Sequence, residues 1–210
     1  MHNLDAPMTW PDVPRLCFGE GEPWHLNARV AMALLDRRQM TPYIEGYRTA
    51  AAALLDSAAD RGAIVDFLIF PISFLWRHHL ELALKQIIAV GRQLDGKAWG
   101  FTKGHDLLKL WNDAKPHVVK CGDPTAPELS NVEANILEFA KIDPGSDGFR
   151  YPMGSDLSTP SLPGAPELVN LRVLHEAMEA VANFLSAVNL GLSVMWERHA
   201  EVLLASRQTR

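Results

Sequence analysis

The fold is decided by residues 63–90, which read AIVDFLIFPISFLWRHHLELALKQIIAV. Apolar side chains occupy nearly every face of a helix drawn through this stretch, and that pattern indicates a helix buried at the centre of a larger domain. Pro71 lies inside the stretch and lacks an N–H group, so it should kink the helix or make it start late. We expect Gly91 and Gly96 to end the helix.

Helical patterns flank this stretch on both sides. The region from about Trp24 to Arg61 is rich in Ala, Leu and Arg, with a break at Thr41-Pro42, where Thr41 suits an N-cap and Pro42 the first helical turn. Further helices are predicted at about 105–121, 127–142 and 167–204. The first of these presents an apolar face made of Leu107, Leu108, Leu110 and Trp111.

These elements predict an all-α protein with an antiparallel helical bundle of five to six helices. The bundle should span residues 24–210 and follow an extended N-terminal arm at residues 1–23, which holds four prolines and little periodicity. Residues 145–166 are dominated by Gly, Pro, Ser and Asp, so we expect an irregular loop or a short β-hairpin there. A loop of this length in a compact domain is often functional.

The last predicted helix carries an apolar seam with alternating spacings of three and four residues, which is typical of paired helices. Two interpretations stay open: the seam packs against a partner helix inside the bundle, or it is shared across a homodimer. The seam consists of Leu171, Leu174, Met178, Val181, Leu185, Val188, Leu192 and Met195.

Composition restricts the function classes. The 210 residues include 20 Lys and Arg against 25 Asp and Glu, a net charge of −5, which argues against broad wrapping of nucleic acid but leaves room for a local basic site. Cys17 and Cys121 match no metal spacing and suit a reduced, cytoplasmic chain. The N-terminus does not read as a signal peptide, and the longest apolar run, Ile64 to Trp76, is too short to span a bilayer. We therefore expect a soluble cytoplasmic protein that has no membrane partner.

A charged stripe crosses the central helix. At about 100° per residue, Arg77, His78, Glu81 and Lys85 fall on one line, and that line begins at Phe67, Phe70 and Phe74 and ends at Ile88. Because Arg77 and Lys85 each lie four residues from Glu81, one carboxylate can bridge two cations. The remaining positive charge would need an anionic ligand or a second carboxylate.

The charged stripe has two interpretations. It is either a buried salt-bridge network that fixes helix register, or an anion-binding and acid–base site. In the second case His78 is a candidate general base beside Glu81, and Arg77 or Lys85 would stabilise negative charge on a phosphate. His79 points to another side and is expected to be a hydrogen-bonded core histidine.

Two other segments can complete the site. Lys103 and His105 precede a predicted helix whose N–H groups would favour an anion, although Asp106 can occupy that helix end instead. Arg150, followed by Tyr151, can clamp a phosphate or stack a base, or it can anchor the loop to Glu81 or another carboxylate. No spacing typical of a metal site, a glycine-rich phosphate loop or a cofactor motif is present, so we expect neither metal nor cofactor.

Together these segments resemble bacterial HEPN-type helical domains, over about Asp66 to Leu192. The residues that carry the resemblance are RHHLELALK at 77–85, GHDLL at 104–108 with Leu110 and Trp111, Asp143, and FRYP at 149–152. The resemblance implies an antiparallel helical bundle, commonly homodimeric, and often linked to RNA cleavage, toxin–antitoxin pairs or defence against phage.

Nucleolytic members of that family use an arginine followed by four to six residues and a histidine, and they cleave RNA without a metal through the ribose 2′-hydroxyl. No arginine in this chain has a histidine at that interval. One hypothesis is therefore a dimeric binding or adaptor module that recognises RNA, a nucleotide or a cognate partner protein. The alternative is a metal-independent endoribonuclease with catalytic residues Arg77, His78, Glu81 and His105, and with Lys85, Lys103, Arg150 and Tyr151 binding the anion.

Overall fold

A computed structural model describes residues 22–29, 40–61, 65–122, 124–154 and 156–208. Residue contacts divide the chain into two units, Met1–Arg37 and Arg38–Arg210. In the first unit, a short 3-10 helix lies at Trp24–Leu26. Most of the predicted arm at residues 1–23, and residues 30–39 of the region predicted to be helical, lie outside the described residues.

The second unit confirms the predicted all-α helical bundle. Its described residues form five α-helices and no strand: α1 (Thr41–Arg61), α2 (Val65–Leu94), α3 (Leu107–Cys121), α4 (Ala126–Ile142) and α5 (Leu171–Gln208). Helix α2 packs against α1, α3 and α5, while α4 packs against α3 and α5. The stretch predicted to be central is therefore the helix around which the unit is built.

Side chains next to the helix ends explain where two helices begin. Asp106 accepts a hydrogen bond from the backbone N–H of Lys109 and so caps α3. Thr125 and Glu128 form a reciprocal capping box at the start of α4. Thr41 is already the first residue of α1, because the carbonyl of Met40 accepts the bond from the N–H of Ile44. The prediction of Thr41 as N-cap is therefore wrong by one position.

Helix α2 is longer than its sequence pattern predicts. It includes Pro71 as an interior residue, so the alternative in which it starts after the proline is wrong. It also continues through Gly91 to Leu94. A Cβ atom on Gly91 would lie 2.2 Å from Cγ of His117, so this glycine lets α3 approach α2 closely rather than ending the helix.

Three residues of the predicted apolar faces are exposed, two on α2 and one on α3. Phe67 is 73% exposed and Phe70 is 48% exposed, so the stripe on α2 does not begin in a buried environment. Phe70 borders a cavity between α2, α4 and the start of α5, so these helices do not pack over it. On α3, Leu108 is also exposed, whereas Leu107, Leu110 and Trp111 are buried as predicted.

The seam on α5 packs inside the chain. All eight of its residues are buried or partly buried within the core of the bundle. Of the two interpretations, the seam therefore packs against helices of the same chain. Its side chains are not available to form a homodimer interface. Within α5, Leu171–Val202 is long and apolar enough to cross a membrane by length and composition alone, which is weak evidence because core helices pass the same test.

The segment between α4 and α5 is an irregular loop. Met153 and Pro160 form an isolated antiparallel bridge, and the N–H of Gly154 donates to the carbonyl of Thr159. Of the two predicted forms, the loop is therefore the correct one in the part of the segment that the structure describes. Its first residues, from Asp143 to Arg150, turn back over α2.

Candidate functional site

The charged groups of α2 lie inside the bundle. Arg77 has no exposed side-chain surface, Glu81 is 1% exposed, and Lys85 is nearly buried. Glu81 accepts from Nη1 of Arg77 at 3.2 Å and from Nζ of Lys85 at 2.8 Å. The predicted bridging of two cations by one carboxylate is thus confirmed.

The structure supplies the second carboxylate that the sequence calls for. Nε of Arg77 lies 3.2 Å from Oδ2 of Asp143 and donates to the backbone carbonyl of Asp143 at 3.1 Å. The other carboxylate oxygen of Asp143 accepts from the N–H groups of Asp147 and Gly148, at 3.0 Å each. Asp143 therefore neutralises Arg77 and also holds the turn that follows α4.

His105 closes the arrangement from the loop before α3. Its backbone carbonyl accepts from Nη2 of Arg77 at 2.8 Å, and its ring Nδ1 lies 2.9 Å from Oε1 of Glu81. Because a carboxylate only accepts, Nδ1 carries the proton in this contact. The side chain of His105 is nevertheless 62% exposed. We call Arg77, Glu81, Lys85, His105 and Asp143 the ionic cluster.

Opposing effects act on the charges of the ionic cluster. Burial tends to raise the pKa of Glu81, but hydrogen bonds from Lys85 and His105, with their charges, outweigh it and hold the pKa below its usual value. Burial also lowers the pKa of Arg77, against the attraction of Asp143 and Glu81. The two cations, Arg77 and Lys85, balance the two carboxylates, Glu81 and Asp143, so these four side chains need no bound anion.

His78 lies beside the ionic cluster but makes no hydrogen bond to it. Its ring stacks on Phe74 with centroids 5.7 Å apart and meets Tyr47 edge-on at 4.5 Å. Burial lowers its pKa, and the charge of Glu81 only partly counters this. A neutral imidazole held between two aromatic rings can accept a proton at the edge of the ionic cluster.

His79 is the core histidine that the sequence predicts. It is fully buried, and Nδ1 lies 3.0 Å from the carbonyl oxygen of Ile44 on α1, to which it donates. Its ring also meets Trp76 edge-on. Burial lowers the pKa of His79, so the imidazole is kept neutral in the folded chain.

The predicted anion-binding residues on the loops lie at the surface. Lys103 is exposed and makes no ion pair with a described residue. Arg150 donates to the carbonyl of Ser146 at 2.8 Å and pairs with Asp147 at 2.5 Å, and its guanidinium lies 5.6 Å from the ring centroid of Tyr151. Asp147 and Ser146 belong to the same turn as Arg150, so the ion pair expected between Arg150 and Glu81 is absent from the described residues.

Sequence reasoning missed part of this arrangement. In the sequence, Asp143 contributes only to the family resemblance, yet it is the partner of Arg77. An aspartate followed by Pro144 and Gly145 is a recognisable signal for a turn whose N–H groups bind the carboxylate. The sequence also gives no indication of the cavity in the bundle, because its lining comes from separate segments and Phe70 is its only residue on the line of the charged stripe.

In the part of the chain that the structure describes, the ionic cluster forms no metal site, and it lies outside the cavity of the bundle. Among the described residues, no group of three His, Cys, Asp or Glu side chains is placed to hold a metal ion. The cavity of about 740 Å³ lies between α2, α4 and the start of α5, and its lining includes none of the residues of the ionic cluster.

Fold and site together define an all-α bundle whose central helix carries a buried, internally neutralised ionic cluster. No protein-family model matches the chain. No curated protein and no solved structure matches it either.

Proposed function

We propose that this chain is a HEPN-like helical domain that acts as a binding or adaptor module without cutting its ligand. The proposal depends on the burial and the hydrogen bonds of Arg77. Its side chain has no exposed surface, and its N–H groups donate to Glu81, Asp143 and His105. An arginine used in this way stabilises the fold and does not reach a phosphate. The proposed setting is a cytoplasmic toxin–antitoxin or defence-type system, with a homodimer that recognises RNA or a nucleotide, or a cognate partner protein.

The surface proposed to meet RNA or a nucleotide lies on the two loops that Arg77 ties together. Lys103 and His105 come from the loop before α3, and Arg150 and Tyr151 come from the turn after α4. Arg150 stacks near Tyr151 and also lies 5.7 Å from the ring of Phe74. An exposed aromatic ring beside a guanidinium offers a base a stacking surface and a phosphate a cation.

Binding can be tested by fluorescence anisotropy with a labelled single-stranded RNA oligonucleotide and, separately, with a labelled ATP analogue. The double variant Lys103→Ala/Arg150→Ala should weaken binding about tenfold or more. The matched control Lys97→Ala/Arg198→Ala removes two exposed cations elsewhere and should leave binding nearly unchanged. Equal losses in both variants would show only general charge attraction and would count against this surface.

One observation favours a second candidate function, a metal-independent endoribonuclease. Glu81 orients the exposed ring of His105, which leaves Nε2 facing solvent as a general base, and His78 lies close enough for the charge of His105 to act on its pKa. Two histidines of this kind can remove a proton from the 2′-hydroxyl and return one to the leaving oxygen. Arg77 would then be a positioning residue that holds the backbone of His105.

The nuclease and the adaptor are separated by incubating purified protein with labelled RNA in EDTA. Cleavage that survives EDTA, and is lost in His105→Ala, His78→Ala and Arg77→Ala but kept in His199→Ala, would establish the nuclease. Circular dichroism must show that each variant is folded, above all Arg77→Ala. Absence of cleavage together with retained RNA or nucleotide binding is the result that the adaptor predicts.

Sedimentation equilibrium tests the proposed homodimer. At micromolar concentration the chain should sediment with twice its monomer mass of 23.3 kDa. A monomer under these conditions would contradict the dimer, and the α5 seam cannot supply its interface because the seam is already buried.

A further inference from the structure

One cavity of the described residues is an open groove, separate from the ionic cluster. It lies between the start of α2, the end of α4, and the segment from residue 162 into α5, and it encloses about 740 Å³. That volume is in the range of ligand-binding clefts. We call it the α2–α4 groove, and its apolar lining includes Ile69, Phe70, Phe139, Leu168, Val173 and Leu174.

Several apolar side chains of the groove face outward. Leu168 is 88% exposed, and Phe70, Val169 and Val173 are exposed as well. All four line the groove, on α2 and around the start of α5. Exposed apolar side chains that are grouped at one groove, rather than scattered singly over a surface, mark an interaction site.

The charged side chains that line the groove are all acidic. Asp66, Glu138 and Glu167 belong to its lining, and no lysine, arginine or histidine does. None of the three carboxylates makes an ion pair or hydrogen bond with a described residue. This differs from the ionic cluster, in which each carboxylate has a cation, and it favours a cationic ligand while it repels phosphate.

A hydroxyl lies among these residues. Ser73 of α2 is 3% exposed and lines the groove. A serine hydroxyl can both donate and accept a hydrogen bond. The groove therefore offers a polar anchor to a ligand, in addition to apolar surface and negative charge.

We propose that the α2–α4 groove binds a basic amphipathic helix of a partner protein. Apolar side chains spaced three and four residues apart would fill the groove, and flanking Lys or Arg side chains would lie over Asp66, Glu138 and Glu167. An open groove with exposed apolar edges fits a helix better than it fits an enclosed small molecule. The inference goes beyond the proposed function, because it concerns a surface that RNA would avoid.

The experiment measures anisotropy of two labelled peptides of about 18 residues, long enough to form a helix. One carries Leu at helical spacing with Lys at the other positions, and the second replaces every Lys by Glu. The groove variant is Asp66→Asn/Glu138→Gln/Glu167→Gln. Its control is Asp113→Asn/Glu197→Gln/Glu201→Gln, which removes the same charge from exposed positions outside the groove.

We expect the Leu/Lys peptide to bind the wild-type chain, and the Leu/Glu peptide to bind at least about tenfold more weakly. The groove variant should lose about tenfold in affinity, which corresponds to about 1.4 kcal/mol. Val173→Ser should also weaken binding, because it removes an apolar contact. The control variant should change affinity by less than about threefold.

Three results would overturn the proposal. Equal losses in the groove and control variants would mean general attraction to an acidic protein. Equal binding of both peptides would mean that the carboxylates play no part. A wild-type dimer that Val173→Asp converts to a monomer would show that a second copy of the chain occupies the groove. The Lys103→Ala/Arg150→Ala variant should keep peptide binding, so failure of RNA binding and failure of this proposal are distinguishable.

Discussion

The ionic cluster and the α2–α4 groove both involve α2, yet they satisfy their charges in opposite ways. In the ionic cluster, Glu81 and Asp143 are buried and matched by Arg77 and Lys85. In the groove, three carboxylates border apolar surface, and no cation lines the site. A charged pattern that is easily seen in the sequence, such as the stripe on α2, can therefore be buried in the fold. The surface proposed to bind a partner, in contrast, has no distinctive sequence pattern.

The contrast between the ionic cluster and the groove would be wrong if the ionic cluster contributed little to the free energy of unfolding. Glu81→Ala leaves Arg77 and Lys85 buried without their shared carboxylate, and we expect it to lower the free energy of unfolding by about 3 kcal/mol or more. Urea denaturation measures this. Glu179→Ala breaks the partly exposed pair with Arg48 and should cost about 1 kcal/mol or less. A change below about 0.5 kcal/mol for Glu81→Ala would contradict a buried cluster.

Stability should also fall with acid, through His79, the buried histidine that donates to the carbonyl of Ile44. Burial lowers the pKa of His79 below its ordinary 6.5, so below that pH the unfolded chain binds a proton that the folded chain does not. The free energy of unfolding should therefore decrease as pH falls from about 6.5, by at most about 1.4 kcal/mol per pH unit for this group. Denaturation curves between pH 7.5 and 5.5 measure the slope.

His79→Gln should flatten that slope, whereas His199→Gln, at an exposed position, should leave it unchanged. Glu45, Arg48 and Glu179 also act electrostatically on His79, so the comparison uses the difference between variants rather than the wild-type slope alone. An identical slope in His79→Gln would show that this histidine takes up its proton in the folded chain as readily as in the unfolded one.

The smallest effect is expected in the groove. Asp66→Asn/Glu138→Gln/Glu167→Gln removes three carboxylates that make no pair with a described residue, so the free energy of unfolding should change by less than about 0.5 kcal/mol. Thermal denaturation of the unliganded protein measures this beside the wild type. A loss of 2 kcal/mol or more would show that these carboxylates stabilise the fold. The contrast with the ionic cluster would then be wrong.

Much of the fold could be predicted because helical periodicity is local. The central helix, the seam on α5 and the role of Asp106 at the start of α3 could each be predicted from residues a few positions apart. Errors arose at Phe67, Phe70 and Leu108, where an apolar residue on the expected face has no neighbour to cover it. Periodicity shows which side chains share a face of a helix, but the packing of distant segments over that face decides whether they are buried.

In the candidate site, too, contacts within one helix could be predicted and contacts between distant segments could not. Contacts of Glu81 with Arg77 and Lys85 are predictable from spacing on one helix. The partnership of Arg77 with Asp143 joins residues far apart in the chain, and no local pattern indicates it. The groove escaped prediction because its lining comes from three separate segments whose residues are individually unremarkable.

By itself, the amino-acid sequence determined that this chain forms helices, which of them lies at the centre, and that Glu81 joins two cations on that helix. Those properties depend on backbone geometry and spacing within a few turns. Only the tertiary structure decided that Arg77 is enclosed, that Asp143 balances it, and that an acidic apolar groove stays open beside α4. Burial and charge balance depend on which distant segments meet, and that is settled when the helices pack.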